Sequence, residues 1–188
     1  MYKLTSTLAC AATLLVTSHS AMAASPGDTY IGVGFSQLTY SEDGFPDFNP
    51  TMLGLRAGYY LNRNFSVEGR LGLGIADDTK GVNYGGFSGD INVEVDSLMG
   101  VYAVGHFPAS DSFGFYGFLG FNNADITATA TSGGTSFSYS DDDSDIAFGI
   151  GAELKVSPAS TINLEYGNFY DEDTVSVDAI TIGFTTSL

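Results

Sequence analysis

Tryptophan is absent, cysteine occurs once, proline five times, and lysine plus arginine number 6 against 22 aspartates and glutamates, in a chain of 188 residues. Each shortage excludes something. A formal net charge of −16 leaves no basic surface to follow a phosphate backbone, so nucleic acid is excluded as a partner. The single cysteine, Cys10, cannot form an internal disulfide. No run of about 18 apolar residues occurs, which excludes a membrane-spanning helix. Charged residues make up only 15 % and hydrophobic ones 44 %, too apolar a balance for a disordered acidic tail. What is plentiful is glycine, at 24 residues, with tyrosine and phenylalanine, and this suits an all-β chain.

The N-terminus carries an address. Lys3 supplies a positive start, Leu8 to Val16 a short apolar stretch, and Ala21-Met22-Ala23 an A-x-A site ahead of Ala24. This order predicts a cleavable signal peptide over residues 1–23, which takes Cys10 with it, and one mature domain over 24–188.

From Tyr30 onward the hydrophobic pattern has period two, and no helical period competes with it. In 65–76, Phe65, Val67, Leu71, Leu73 and Ile75 share one face while Ser66, Glu68, Arg70, Gly72 and Gly74 share the other. Segments 29–40, 52–61, 91–107, 146–156, 161–170 and the last one, around Ile180 to Phe184, alternate likewise. Segment 113–121 is apolar on both faces, which leaves its orientation open. Eight strands result. Their links sort by length: 41–50, 77–90 and 122–145 are long, whereas 62–64, 108–112 and 157–160 are tight, and 171–174 is short but acidic. Tight turns at one end and long links at the other describe an up-and-down meander closed into a barrel.

Such a meander fits a soluble barrel with its apolar face inward, or a transmembrane barrel with that face toward lipid. The polar face separates the two. Its mid-strand charges are Arg56, Glu68, Arg70, Glu153, Lys155 and Glu165, three bases balanced by three acids in a chain otherwise short of bases. A closed lumen needs that balance, because an unpaired buried charge is costly and a paired one tolerable. The rest of the polar face is mostly Gly, Ala, Ser and Thr, which suits a narrow interior. Phe65, Phe107 and Phe113 beside the tight turns, and Tyr40 and Tyr170 beside the long links, stand where interfacial aromatic girdles would lie. The expectation is an all-β, eight-stranded antiparallel transmembrane barrel with short periplasmic turns and longer acidic extracellular loops.

Four motifs in order, Val93-Glu94-Val95-Asp96 with Gly100-Val101-Tyr102, Tyr116 to Gly120, Gly149 to Leu154, and Leu164-Glu165-Tyr166, resemble strands of the small outer-membrane β-barrel family. The resemblance covers the whole mature chain. It implies the outer membrane of a Gram-negative bacterium, insertion by the barrel-assembly machinery, outer-membrane lipid and lipopolysaccharide as neighbours, and a monomer. The family usually ends on an aromatic residue; here the end is Leu188, with Phe184 four residues before it.

Catalytic candidates are few. His106, beside the tight turn 108–112, reads as a structural or interface histidine, and Glu68 with Glu153 reads as part of an ion-pair network better than as an acid–base pair. Gly72-Leu73-Gly74 and Gly149-Ile150-Gly151 lie within strands, so they cradle no phosphate and instead make room in a crowded lumen. No enzyme activity and no cofactor are expected. The acids gather in the long links, including Asp141, Asp142, Asp143, Asp145, Asp171, Glu172 and Asp173. Carboxylates there could gather Ca²⁺ or Mg²⁺ beside anionic lipopolysaccharide, although no EF-hand spacing is present. Two functions stay open. One is a structural or surface-interaction barrel with a plugged lumen; the other is a narrow, weakly cation-selective channel.

Overall fold

The computed structural model describes residues 25–84, 87–172 and 174–188. The expected signal peptide over 1–23, with Cys10, and the acidic residue Asp173 lie outside the described residues.

Nine antiparallel strands follow one another: β1 (Thr29–Glu42), β2 (Thr51–Asn62), β3 (Phe65–Ala76), β4 (Asp78–Tyr84), β5 (Phe87–Pro108), β6 (Phe113–Ser132), β7 (Thr135–Lys155), β8 (Ser160–Glu172) and β9 (Val175–Ser187). Eight of them close a ring, because β1 pairs with both β2 and β9 and β3 pairs with β5. The ring matches the eight strands the alternation predicts. The ninth, β4, pairs only with the far part of β5, from Asp78↔Val93 to Tyr84↔Phe87.

The links expected as loops at 77–90 and 122–145 are therefore largely strand. β6 and β7 stay paired as far as Ser132↔Thr135. Gly133 and Gly134, with φ of 57° and 82°, close this hairpin in the doubly left-handed turn that matches strand twist. Ser and Thr richness suggested a loop, yet Thr127-Ala128-Thr129-Ala130-Thr131 still alternates, and Thr is a good strand former. Its hydroxyls bond across the pair: Thr127 with Ser140 at 2.9 Å, Thr129 with Ser138 at 2.8 Å and Thr131 with Ser136 at 2.9 Å. A register shift between Val95 and Ser97 marks where β5 leaves the wall for this projecting sheet, just where its pairing with β3 ends at Leu73↔Ser97.

The barrel is apolar outside. Val101, Leu119, Phe121, Ile150 and Ile180 are exposed, Ile150 at 69 % and Val101 at 63 %. Their alternates Tyr102, Val104, Phe118, Ala147 and Glu165 are buried, Tyr102 at 1 %. Segment 113–121 now has an orientation: Phe113, Phe115, Leu119 and Phe121 face out, and Tyr116 and Phe118 face in. Each inward ring needs a missing side chain opposite it. A Cβ on Gly151 would strike the Tyr116 ring, and one on Gly149 or Gly167 would strike Phe118.

Candidate functional site: lumenal plug and acidic mouth

Four charges from three strands meet inside the barrel. Arg56 comes from β2, Glu68 and Arg70 from β3, and Glu165 from β8. Arg70 donates to Glu165 through both terminal nitrogens, Nη1 to Oε1 at 2.7 Å and Nη2 to Oε2 at 3.0 Å. Its Nε donates to Glu68 at 2.5 Å. Arg56 Nη1 reaches Glu165 Oε2 at 3.4 Å and lies 3.9 Å from Glu68. Two hydroxyls complete the acceptors: Tyr30 donates to Glu68 at 2.8 Å, and Tyr116 to Glu165 at 2.9 Å. Two bases and two acids cancel, which makes the cluster tolerable in a dry interior. The Arg70 guanidinium is also held between aromatic faces, 4.6 Å from the Tyr102 centroid and 4.4 Å from that of Phe118.

The network has four members where the sequence suggested six. Glu153 stands apart, 3.7 Å from His106 Nδ1, and is half-buried. His106 is buried near the short turns, its Nε2 3.0 Å from Ser66 Oγ, and its ring 5.1 Å from that of Tyr60. Lys155 has the strand phase of Glu153 but is the last residue of β7; there it is exposed and makes no ion pair among the described residues. Phase was legible, whereas height along the barrel was not.

Sequence reasoning also missed an apolar layer. Leu38, Met52, Leu98, Phe118, Phe169, Val177 and Ala179 form one buried cluster with Tyr102. Met52 and Phe169 lie four residues beyond Arg56 and Glu165 on their own strands, toward the long hairpins. The signal was there in 113–121, whose second apolar face had to point somewhere. Arg56 borders two small cavities of about 50 and 40 Å³, each with room for a few waters.

The long-hairpin end is different in kind. Asp141, Asp143 and Asp145 point to the inner face of β7, while Asp142 points outward opposite Asp125. Strand alternation thus splits the acidic run between two faces, and among the described residues no three acids or histidines converge on a cation site. Asp171 and Glu172 end β8. Lys80 is the one base among the described residues at this end, paired with Asp78 at 3.5 Å. Tyr40 donates to Glu42 at 2.9 Å, and Tyr170 lies between Asp143 at 3.1 Å and Glu172 at 3.2 Å. Burial first, then the Glu42 carboxylate, raises the Tyr40 hydroxyl above the ordinary tyrosine pKa, so it stays a neutral donor.

A closed barrel with apolar residues outside and paired charges within is a transmembrane β-barrel. The chain belongs to the outer membrane protein beta-barrel domain family, which matches residues 8–187. It is similar in fold to Ail, the attachment invasion locus protein of Yersinia pestis, at 24 % identity over 86 % of this chain and 99 % of that one, with a TM-score of 0.60. Another Ail structure holds the heparin analogue sucrose octasulfate. OprG from Pseudomonas aeruginosa is 18 % identical over 87 % of this chain and 97 % of its own, with a TM-score of 0.61. Neisserial surface protein A is 17 % identical over 85 % and 97 %, with a TM-score of 0.56. No curated protein matches significantly in sequence.

Proposed function

We propose that this outer-membrane barrel is a structural or surface-interaction protein whose lumen is closed and whose long-hairpin end is its working surface. One observation carries the reading: the neutral Arg56–Glu68–Arg70–Glu165 network adjoins the apolar layer of Leu38, Met52, Leu98 and Phe169. An ion crossing would have to break four charge contacts and then enter a region with few polar partners. On this reading the chain is exported by a cleaved signal peptide, inserted by the barrel-assembly machinery and monomeric, with the short turns periplasmic and the acidic hairpins outside. It has no catalytic role. The heparin analogue bound by Ail has no counterpart here, since the acidic rim repels polyanions. Lipopolysaccharide is a compatible neighbour only where mobile divalent cations screen the two.

The alternative is a narrow, weakly cation-selective channel, favoured by the rim's sign but opposed by the apolar layer. Conductance of the purified protein in a planar bilayer decides between them. The expected result is insertion without steady current. Stable cation-selective steps that change on Arg56→Ala would overturn the closed-lumen reading.

A further inference from the structure

The barrel wall splits above the pair Phe148↔Asn168. From there β7 no longer pairs with β8, although it stays paired with β6 up to the hairpin tip. Two bonds bridge the gap: Tyr170 Oη donates to Asp143 Oδ2 at 3.1 Å, and the Asp171 backbone N–H donates to Asp145 Oδ2 at 2.8 Å. Within the split lies a cleft of about 150 Å³, walled by Tyr40, Ile126, Tyr139, Asp141, Asp143 and Tyr170. That volume is about what one benzene ring occupies in an engineered protein cavity.

Its chemistry selects an occupant. The single proton of Tyr170 faces two carboxylates, Asp143 and Glu172, and can serve only one at a time. Among the described residues no Lys, Arg or His pairs with Asp141, Asp143 or Glu172. The cleft therefore has surplus acceptors and negative charge, which excludes anions. A bare metal ion needs oxygens on most sides, and Ile126 with the tyrosine rings takes much of that space. A cation with an apolar body meets every wall: its N–H groups go to the carboxylates, its charge to the aromatic faces and its body to Ile126.

We propose that this cleft binds a small organic ammonium ion, a protonated primary amine attached to one apolar group of about ring size. The inference rests on the surface-interaction reading only for access from outside. A barrel that conducted yet bound the amine would end that reading and leave this one standing.

The test titrates phenethylammonium, neutral 2-phenylethanol and methylammonium into the purified protein in a non-ionic detergent, read by calorimetry. Phenethylammonium should bind saturably at one site. Phenylethanol and methylammonium should each bind about tenfold more weakly or worse, having lost the charge-assisted bonds or the apolar contact. The double variant Asp141→Asn/Asp143→Asn should lose about tenfold in affinity, and Tyr139→Ala about threefold, with strand content by circular dichroism unchanged. Equal binding of phenylethanol would mean simple apolar partition and overturn the proposal. So would equal binding of methylammonium, which would mean diffuse attraction to the rim, or unchanged affinity in the double variant. If that variant fails to fold, Tyr139→Ala and the two analogues still decide.

Discussion

The lumen and the mouth are built by the same strands and obey opposite charge rules. Inside the ring, Arg56 and Arg70 meet carboxylates, and Glu68 and Glu165 each also accept a tyrosine hydroxyl, so this network leaves no charge over. Above Phe148, where β7 keeps only one strand partner, carboxylates outnumber their donors and Lys80 is the sole base among the described residues. The difference follows from solvent. In a low-dielectric interior an uncompensated charge costs several kcal/mol, so sequence must supply neutrality there. At the mouth water and salt do the compensating, and charge can accumulate without loss of stability.

Breaking the lumen should therefore be far more damaging than breaking the mouth. Glu165→Ala strips Arg70 of its bidentate partner and Arg56 of its nearest one, so stability should fall by about 3–5 kcal/mol. Urea unfolding of the bilayer-inserted protein reads this directly, and an unchanged midpoint would refute a tightly coupled plug. Next comes packing. A Cβ on Gly120 would collide with the Val101 carbonyl and the Tyr102 ring, so Gly120→Ala should cost about 1–3 kcal/mol by the same assay. At the hairpin tip, Gly134→Ala forces a left-handed alanine at φ 82°, a penalty of about 1–2 kcal/mol confined to the turn. It should raise amide exchange around 130–137 and leave the global midpoint in place. Smallest of all, Asp142→Asn on the outward face should change stability by less than about 0.5 kcal/mol.

Much of this contrast was legible in the chain. Period-two alternation placed Glu68, Arg70 and Glu165 inward and Val101, Ile150 and Ile180 outward, because a strand has only two faces. Strand tilt was not legible, and tilt decides which inward residues share a level; Lys155 has the right phase and the wrong height. Nor was the length of the projecting hairpins, since Thr and Ser at 127–140 carry the polarity of a loop and the alternation of a strand. The pairing of large rings with glycines on the next strand, as Tyr116 with Gly151, depends on register across the wall and had no local trace.

The neutrality of the lumenal plug also bears on voltage. A transmembrane field acts on net charge, at about 2.3 kcal/mol per elementary charge per 100 mV. Arg56, Arg70, Glu68 and Glu165 sum to zero, so the field can only tilt the cluster's dipole, with opposed forces on its members held by their mutual bonds. On the closed-lumen reading, an applied potential has no lever on this cluster as a whole, and the barrel should stay non-conducting at either polarity.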